Sequence, residues 1–236
     1  MKKYSTLLAS TLVLVFSAVG ASAVVIADWD IQGNGPGTSY IGPVPLGSTA
    51  TGVTASTITT VGVSNISSTG NKINSLGGNS WGTTPFDPND AYVEFMITPD
   101  AGITLDLDTL YFNQAPNNLV GFSAVWELRS SLDGYSSVIA TDSINIGFQN
   151  INAAAAYDAV VLGSNFDAIT SSVTFRLYGT GFDGSSGQWF IANPTEGDFS
   201  NFTVEGSVIP EPAVTSLAAG ILVLLGTWLH RCRNQA

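Results

Sequence analysis

Cysteine and histidine are almost absent from this sequence. The one cysteine, Cys232, and the one histidine, His230, both lie close to the C-terminus, so the long middle of the chain has neither. Their absence there excludes disulfides, zinc sites of the usual Cys/His type, a thiol nucleophile and a Ser-His-Asp triad. A chain of 236 residues is long enough to bury a hydrophobic core without such cross-links.

Positive charge is also scarce. Between residues 24 and 208 only Lys72, Arg129 and Arg176 are basic, against seventeen of the eighteen acidic residues, so this part carries a net charge of −14. A strongly acidic surface disfavours nucleic acid and anionic lipid as partners. It suits surroundings that contain calcium, or a neutral or cationic matrix, although solubility alone would also account for it.

Long amphipathic helical patterns are missing as well. The body of the chain, residues 24–208, has short runs of alternating apolar and polar residues that end at turn-forming residues. This pattern predicts an all-β fold, an antiparallel β-sandwich with jelly-roll-like connectivity. Residues 152–160 could instead form a helical turn, and residues 32–45 and 71–89 are predicted to be loops. The predicted strands cover residues 24–31, 54–63, 91–98, 103–113, 122–129, 137–147, 157–163, 172–179, 187–193 and 199–208.

The N-terminus has the three parts of a secretory signal peptide. Two lysines precede an apolar segment at residues 7–19, and small residues follow at Ala21 and Ala23. We therefore expect residues 1–23 to be removed during export. The alternative is an N-terminal membrane anchor, which the shortness of the apolar segment disfavours.

An apolar run of 17 residues, 213–229, lies close to the C-terminus. As a helix it would be about 25 Å long, slightly short of the ~30 Å hydrocarbon thickness of a bilayer. Arg231 and Arg233 follow the run, and basic residues favour the cytoplasmic side of a membrane. The sequence therefore predicts one transmembrane helix whose basic tail stays inside, while the signal peptide sends the body out.

A Pro-Glu-Pro motif, formed by Pro210, Glu211 and Pro212, immediately precedes the apolar run. The motif, the run and the basic tail together resemble the PEP-CTERM sorting segment, here residues 209–236. The tail departs from that family in one respect, because other residues separate its two arginines. The resemblance implies recognition by an exosortase, a membrane-embedded peptidase or transpeptidase of Gram-negative bacteria, with release or transfer into exopolysaccharide. The alternative is a plain C-terminal membrane anchor.

Paired carboxylates are the only kind of catalytic group that the composition of the body still allows. The candidates are the glutamates at positions 94, 127, 196 and 205, together with the many aspartates. Glu94 and Glu127 alternate with apolar residues, which predicts that they face solvent. Glycosidase activity is therefore a distant alternative.

Residue type alone suggests two ligand sites. Oxygen ligands from Asp28, Asp30 and Asp198 could hold a structural Ca²⁺, although surface acids commonly cluster without a metal. Trp81, in a Gly-rich loop, could stack on a sugar, although packing within that loop is the more common role of such a residue. Trp126 alternates with core residues and is predicted to be buried.

These observations predict an exported protein that is not an enzyme and needs no cofactor, with a structural Ca²⁺ as the alternative. The expected partners are an exosortase, the inner membrane as a transient location, and exopolysaccharide, with no nucleic acid. The final location would be the cell surface or the extracellular matrix, with a structural or adhesive role. The alternative is a carbohydrate-binding module that recognises one glycan, and a glycoside hydrolase is more distant.

Signal-peptide removal is directly testable. Cleavage after Ala23 should leave Val24 as the first residue of the exported protein. N-terminal sequencing of the exported material checks this, and a chain that still begins at Met1 would show that residues 1–23 act as an anchor.

Overall fold

The chain folds into two β-sheets that pack against a shared core. A computed structural model describes residues 23–31, 39–40, 43–64, 75–78, 80–82, 86–117, 124–143, 156–181, 188–192 and 202–211. Every strand pair in this part is antiparallel except one short parallel pair. No α-helix occurs within it, and two of its segments, Ser131–Asp133 and Ser164–Phe166, are 3-10 turns. The expectation of an all-β antiparallel fold is confirmed.

The first sheet has eight strands in the order β2-β6-β13-β8-β14-β1-β3, and β11 pairs with β8. Its longest member, β8, is 15 residues long and pairs with three other strands. The strands of this sheet are β1 Val24–Trp29, β2 Ser39–Tyr40, β3 Leu46–Thr49, β6 Ser75–Gly78, β8 Ile103–Asn117, β11 Ala156–Val161, β13 Gln188–Ala192 and β14 Phe202–Pro210.

The second sheet has six strands in the order β10-β9-β12-β7-β4, and β5 pairs with β7. On β7 the side chains of Val93, Phe95 and Ile97 are buried while Glu94 is half-buried and Met96 is exposed, as the alternation predicts. The strands of this sheet are β4 Val53–Ala55, β5 Thr59–Val61, β7 Tyr92–Pro99, β9 Val125–Ser130, β10 Ala140–Ser143 and β12 Val173–Thr180.

Aromatic side chains join the two sheets. Phe95 of β7 packs edge-on against Trp29 of β1 and Phe202 of β14, with ring centroids 5.1 and 4.9 Å apart, and stacks on Phe175 of β12 at 5.1 Å. Edge-to-face aromatic pairs add about 0.5–1.5 kcal/mol each beyond the area they bury. Trp29 keeps its polar group satisfied, because its Nε1–H donates to the Ser56 carbonyl at 2.7 Å.

Several local predictions differ from the structure. The single strand predicted at 54–63 is two strands, since Ile58 between them pairs with Val44 instead of continuing along β7. The short strands β2 and β6 lie where loops were predicted, and β3 was not predicted at all. Their short polar sequences have no alternating apolar pattern that could have revealed them.

The boundaries near residues 152–160 and 208 also differ. The helical alternative is wrong for residues 156–160, which belong to β11, and residues 152–155 lie outside the described part. The last strand continues to Pro210, two residues beyond the expected end of the body. No helix in the described part is long and apolar enough to cross a bilayer, and residues 213–229 lie outside that part.

The position of Phe95 leads to a stability prediction. Phe95→Ala should lower the free energy of unfolding by about 3–5 kcal/mol, because it leaves a cavity where both sheets meet. Met96 is the matched control, since it is the next residue on the same strand and is 38% exposed. Met96→Ala should change stability by less than about 0.5 kcal/mol. Urea unfolding measures both, and equal losses would contradict this account of the core.

Candidate functional site

The Pro-Glu-Pro motif starts inside the last strand of the body. Pro210 is the final residue of β14 and lies opposite Ile103, the first residue of β8. The amide N–H of Glu211 donates to the carbonyl of Gly102 at 2.8 Å. A proline fits this position because it is the last residue of the strand and needs no ladder donor there. The sheet thus holds the backbone of the first half of the motif.

The side chains of this half of the motif face solvent. Pro210 and Glu211 are exposed, and Ile209 just before them is 40% exposed. The turn Asp100–Gly102, whose Gly102 carbonyl accepts the hydrogen bond from Glu211, is tight. Ile103 N–H donates to the Asp100 carbonyl, and Gly102 has a φ of 79°, in the left-handed region that suits glycine. The carboxylate of Glu211 is therefore presented on a backbone of fixed position.

The other residues predicted to act in sorting lie mostly outside the described part. These are Ala21, Pro212, Arg231 and Arg233. Ala23, the last residue of the expected signal peptide, is exposed and directly precedes β1.

The candidate calcium ligands are only partly described. Asp28 on β1 is half-buried, and its Oδ1 accepts a hydrogen bond from the Thr203 hydroxyl at 3.0 Å. Asp30 lies just beyond the end of β1, and Asp198 is outside the described part. No cluster of three acidic or other metal-binding side chains occurs among the residues whose positions are known. The calcium site stays a prediction.

Trp81 lies in the interior, contrary to the sugar-stacking interpretation. Its side chain is 5% exposed, its Nε1–H donates to the Trp189 carbonyl at 3.2 Å, and its ring packs edge-on against Trp189 at 4.8 Å. Trp126 is 3% exposed, as predicted, and Trp29 is also buried. All four tryptophans of the body are therefore buried, and this favours the packed-loop alternative for Trp81.

Glu94 and Glu127 each form an ion pair with one of the two arginines of the described body. Arg176 Nε donates to Glu94 Oε2 at 2.7 Å, and Arg129 Nη2 donates to Glu127 Oε2 at 2.6 Å. Both glutamates lie on the outer faces of their strands, as predicted, and are half-buried there. A carboxylate whose oxygen is hydrogen-bonded to a guanidinium is held in a fixed position, which suits a structural role.

The arginines also stack on aromatic rings, and the sequence did not reveal this arrangement. The guanidinium of Arg176 lies 4.2 Å from the ring centre of Tyr92 and 3.9 Å from that of Tyr135. Arg129 lies 3.7 Å from the ring centre of Phe86. Each such contact contributes about 0.5–2 kcal/mol, depending on its desolvation. The outer face of the second sheet therefore carries an arginine–aromatic cluster.

This cluster attaches two loops to the outer face of the sheet. Arg129 Nη1 donates to the carbonyls of Tyr135 and Ser136, and the hydroxyl of Tyr178 donates to the Pro88 carbonyl at 3.3 Å. Tyr178 is fully buried although it points away from the main core. Burial raises the pKa of Tyr178, and the hydrogen bond and charge of Arg176 only partly oppose this rise. The loops thus cover part of the outer face of the second sheet, including Tyr178.

A groove of about 460 Å³ lies between the loop after β9 and the loop after β11. At its rim, Asp133 accepts hydrogen bonds from the backbone N–H groups of Ser136 and Ser137. Hydrogen bonds from Ser137 and Ser136 lower the pKa of Asp133, so the carboxylate stays ionised and shapes its own loop. The groove is lined by Leu132, Asp133, Ser137, Val138, Ile139, Leu162, Asn165 and Phe166.

Comparison with known proteins adds no relationship. No protein-family model matches the chain, and a search of the curated proteins finds no significant match. The resemblance of residues 209–236 to a sorting segment therefore rests on the residues of that segment alone.

Arg176 is the residue through which the arginine–aromatic cluster can be tested. Arg176→Met should lower the free energy of unfolding by on the order of 1–3 kcal/mol, because it leaves Glu94 without its partner and removes both cation–π contacts. Arg176→Lys keeps the charge but not the planar group, so its loss should be intermediate. Urea unfolding measures both variants. If lysine restores full stability, stacking of the guanidinium contributes nothing.

Proposed function

We propose that this protein is exported, held transiently in the inner membrane and processed by an exosortase that reads its C-terminal segment. The mature body then takes a structural or adhesive role in exopolysaccharide at the cell surface or in the extracellular matrix. The observation that carries the proposal is the order of parts: signal peptide, folded body, Pro-Glu-Pro, apolar run and arginines.

The geometry of the motif supports this proposal. Glu211 is exposed and follows the last strand directly, so a membrane enzyme meets its carboxylate at the boundary between the body and residues 213–229. Only the hydrogen bond to Gly102 holds the Glu211 amide. Releasing one such bond costs about 0.5–1.5 kcal/mol, which binding to an enzyme readily offsets.

Charge narrows the kind of matrix that the body can join. The body is strongly acidic, and both described arginines are engaged with glutamates. Direct binding therefore favours a neutral or cationic polysaccharide, whereas an anionic polymer would require bridging by divalent cations such as Ca²⁺.

The jelly-roll connectivity belongs to the same proposal. Successive strands change sheets repeatedly, because β7, β9, β10 and β12 lie in the second sheet while β8, β11 and β13 lie in the first. Such alternation between two facing sheets is what a jelly roll requires.

The carbohydrate-binding alternative draws its support from the groove and not from Trp81. The volume of the groove, about 460 Å³, lies within the range of small-molecule sites. A glycan array on the purified body distinguishes a module with one preferred glycan from a protein that associates broadly with the matrix.

Glu211 separates a sorting signal from a plain anchor. Glu211→Ala should leave the full-length precursor in the membrane, because a pocket that recognises the carboxylate is left with unpaired buried donors. Loss of such a contact costs about 1–3 kcal/mol, or roughly tenfold to a hundredfold in processing. Insertion should be unchanged, since the apolar run and the arginines determine it.

The assay is a size and fractionation blot of a tagged body in a host that has an exosortase. Asp100→Ala is the matched control, because Asp100 is an exposed carboxylate in the turn that holds Glu211. This control should be processed like the wild type. If Glu211→Ala is also processed like the wild type, the sorting hypothesis fails and the anchor alternative replaces it.

A further inference from the structure

We propose that one end of the body lies against the membrane surface while the precursor is anchored. This exit end consists of Val24 and Val25, the turn Asp100–Gly102 and the segment Ile209–Glu211. The inference rests on the proposed function, because residues 213–229 must act as the anchor. The occupant of the surface is the interfacial region of the outer leaflet.

The first argument is the shortness of the connection. Glu211 is hydrogen-bonded to Gly102, and Pro212 alone separates it from the first residue of the apolar run. An extended residue spans at most about 3.6 Å, so Glu211 lies within about 7 Å of Ala213. A body attached so closely cannot move far from the bilayer while the Glu211 amide stays bound to the sheet.

The second argument is that both chain ends emerge on the same side. Strand β1 runs antiparallel to β14, and Val24 lies opposite Gly206 near the C-terminal part of β14. The expected signal peptide, residues 1–23, therefore joins the body at the end where the apolar run leaves it. Both membrane segments can enter one bilayer at the same time without any change in the folded body.

The third argument is the surface of the exit end. It carries three of the eight large apolar side chains that are exposed in the described part, Val24, Val25 and Ile209, at 43%, 41% and 40% exposure. Val24 and Val25 lie opposite Gly206 and Glu205, about 10 and 13 Å from Ile209 along β14. The exit end also carries two exposed carboxylates, those of Asp100 and Glu211. Its three exposed apolar side chains favour contact with a neutral lipid surface in spite of these two charges.

Site-specific fluorescence quenching tests the proposal on the full chain. Cys232→Ser removes the natural thiol, and a single new thiol is placed by Ala101→Cys at the exit end or by Asn89→Cys at the opposite end. Both positions are exposed and flank β7, which is about 23 Å long. Each labelled chain is reconstituted in phosphatidylcholine nanodiscs that contain headgroup spin-labelled lipid.

The label of the Ala101→Cys chain should lose fluorescence to the spin-labelled lipid, and that of the Asn89→Cys chain should not. A flexible Gly-Ser linker of 20 residues between Glu211 and Pro212 has a mean reach of about 25 Å. It should reduce the quenching of the label at residue 101 to the level seen for the label at residue 89. Equal quenching at both positions in the chain without a linker, or stronger quenching at Asn89→Cys, overturns the proposal.

Failure of this inference can be told from failure of the proposed function. If the chain does not co-purify with nanodiscs, residues 213–229 are not an anchor, and both proposals fall. If the chain binds the nanodiscs but the two labels are quenched alike, only the assignment of the exit end fails. Thermal unfolding of the labelled chains confirms that neither substitution has disturbed the fold.

Discussion

The pairing of β14 with β8 is the interaction on which the rest of the structure depends. It is the most extensive strand pairing, from Thr203 to Pro210, and β14 also pairs with β1 on its other edge. A register shift at Gly206 brings this backbone so close to β8 that any Cβ there would overlap the Asp106 carbonyl. The same pairing positions Phe202 in the core and directs Glu211 to the surface.

The second sheet shows how an acidic chain with few bases uses its arginines. Along β12 the inward residues Phe175 and Leu177 enter the main core, while the outward residues Arg176 and Tyr178 pack beneath two loops. Without these loops Arg176 and Glu94 would form an ordinary surface ion pair, which contributes little. The rings of Tyr92 and Tyr135 shield the ion pair from water, so that it packs against aromatic side chains instead of lying free on the surface.

The sequence predicted features that depend on neighbouring residues and missed those that depend on distant ones. The alternation of Val93, Phe95 and Ile97 identified β7 and its buried face, because strand periodicity is local. The ion pair between Glu94 and Arg176 joins residues 82 positions apart, and no local pattern contains it. Trp81 was misleading for the same reason, since its partner Trp189 lies on a distant strand. The resemblance of residues 209–236 to a sorting segment is visible in the sequence because all the parts of that segment are contiguous.

The central place of β14 has a consequence for the order of biosynthesis. The last of the described strands to be synthesised lies between β8 and β1, so the first sheet stays divided until residues 202–210 have been made. The hydrogen bond between Thr203 and Asp28 spans 175 residues of chain, and contacts of such separation close slowly. Until then β1 and β8 present unpaired edges that could join another chain. In the proposed export of this protein, attachment of residues 1–23 to the membrane would keep newly made molecules apart during this interval.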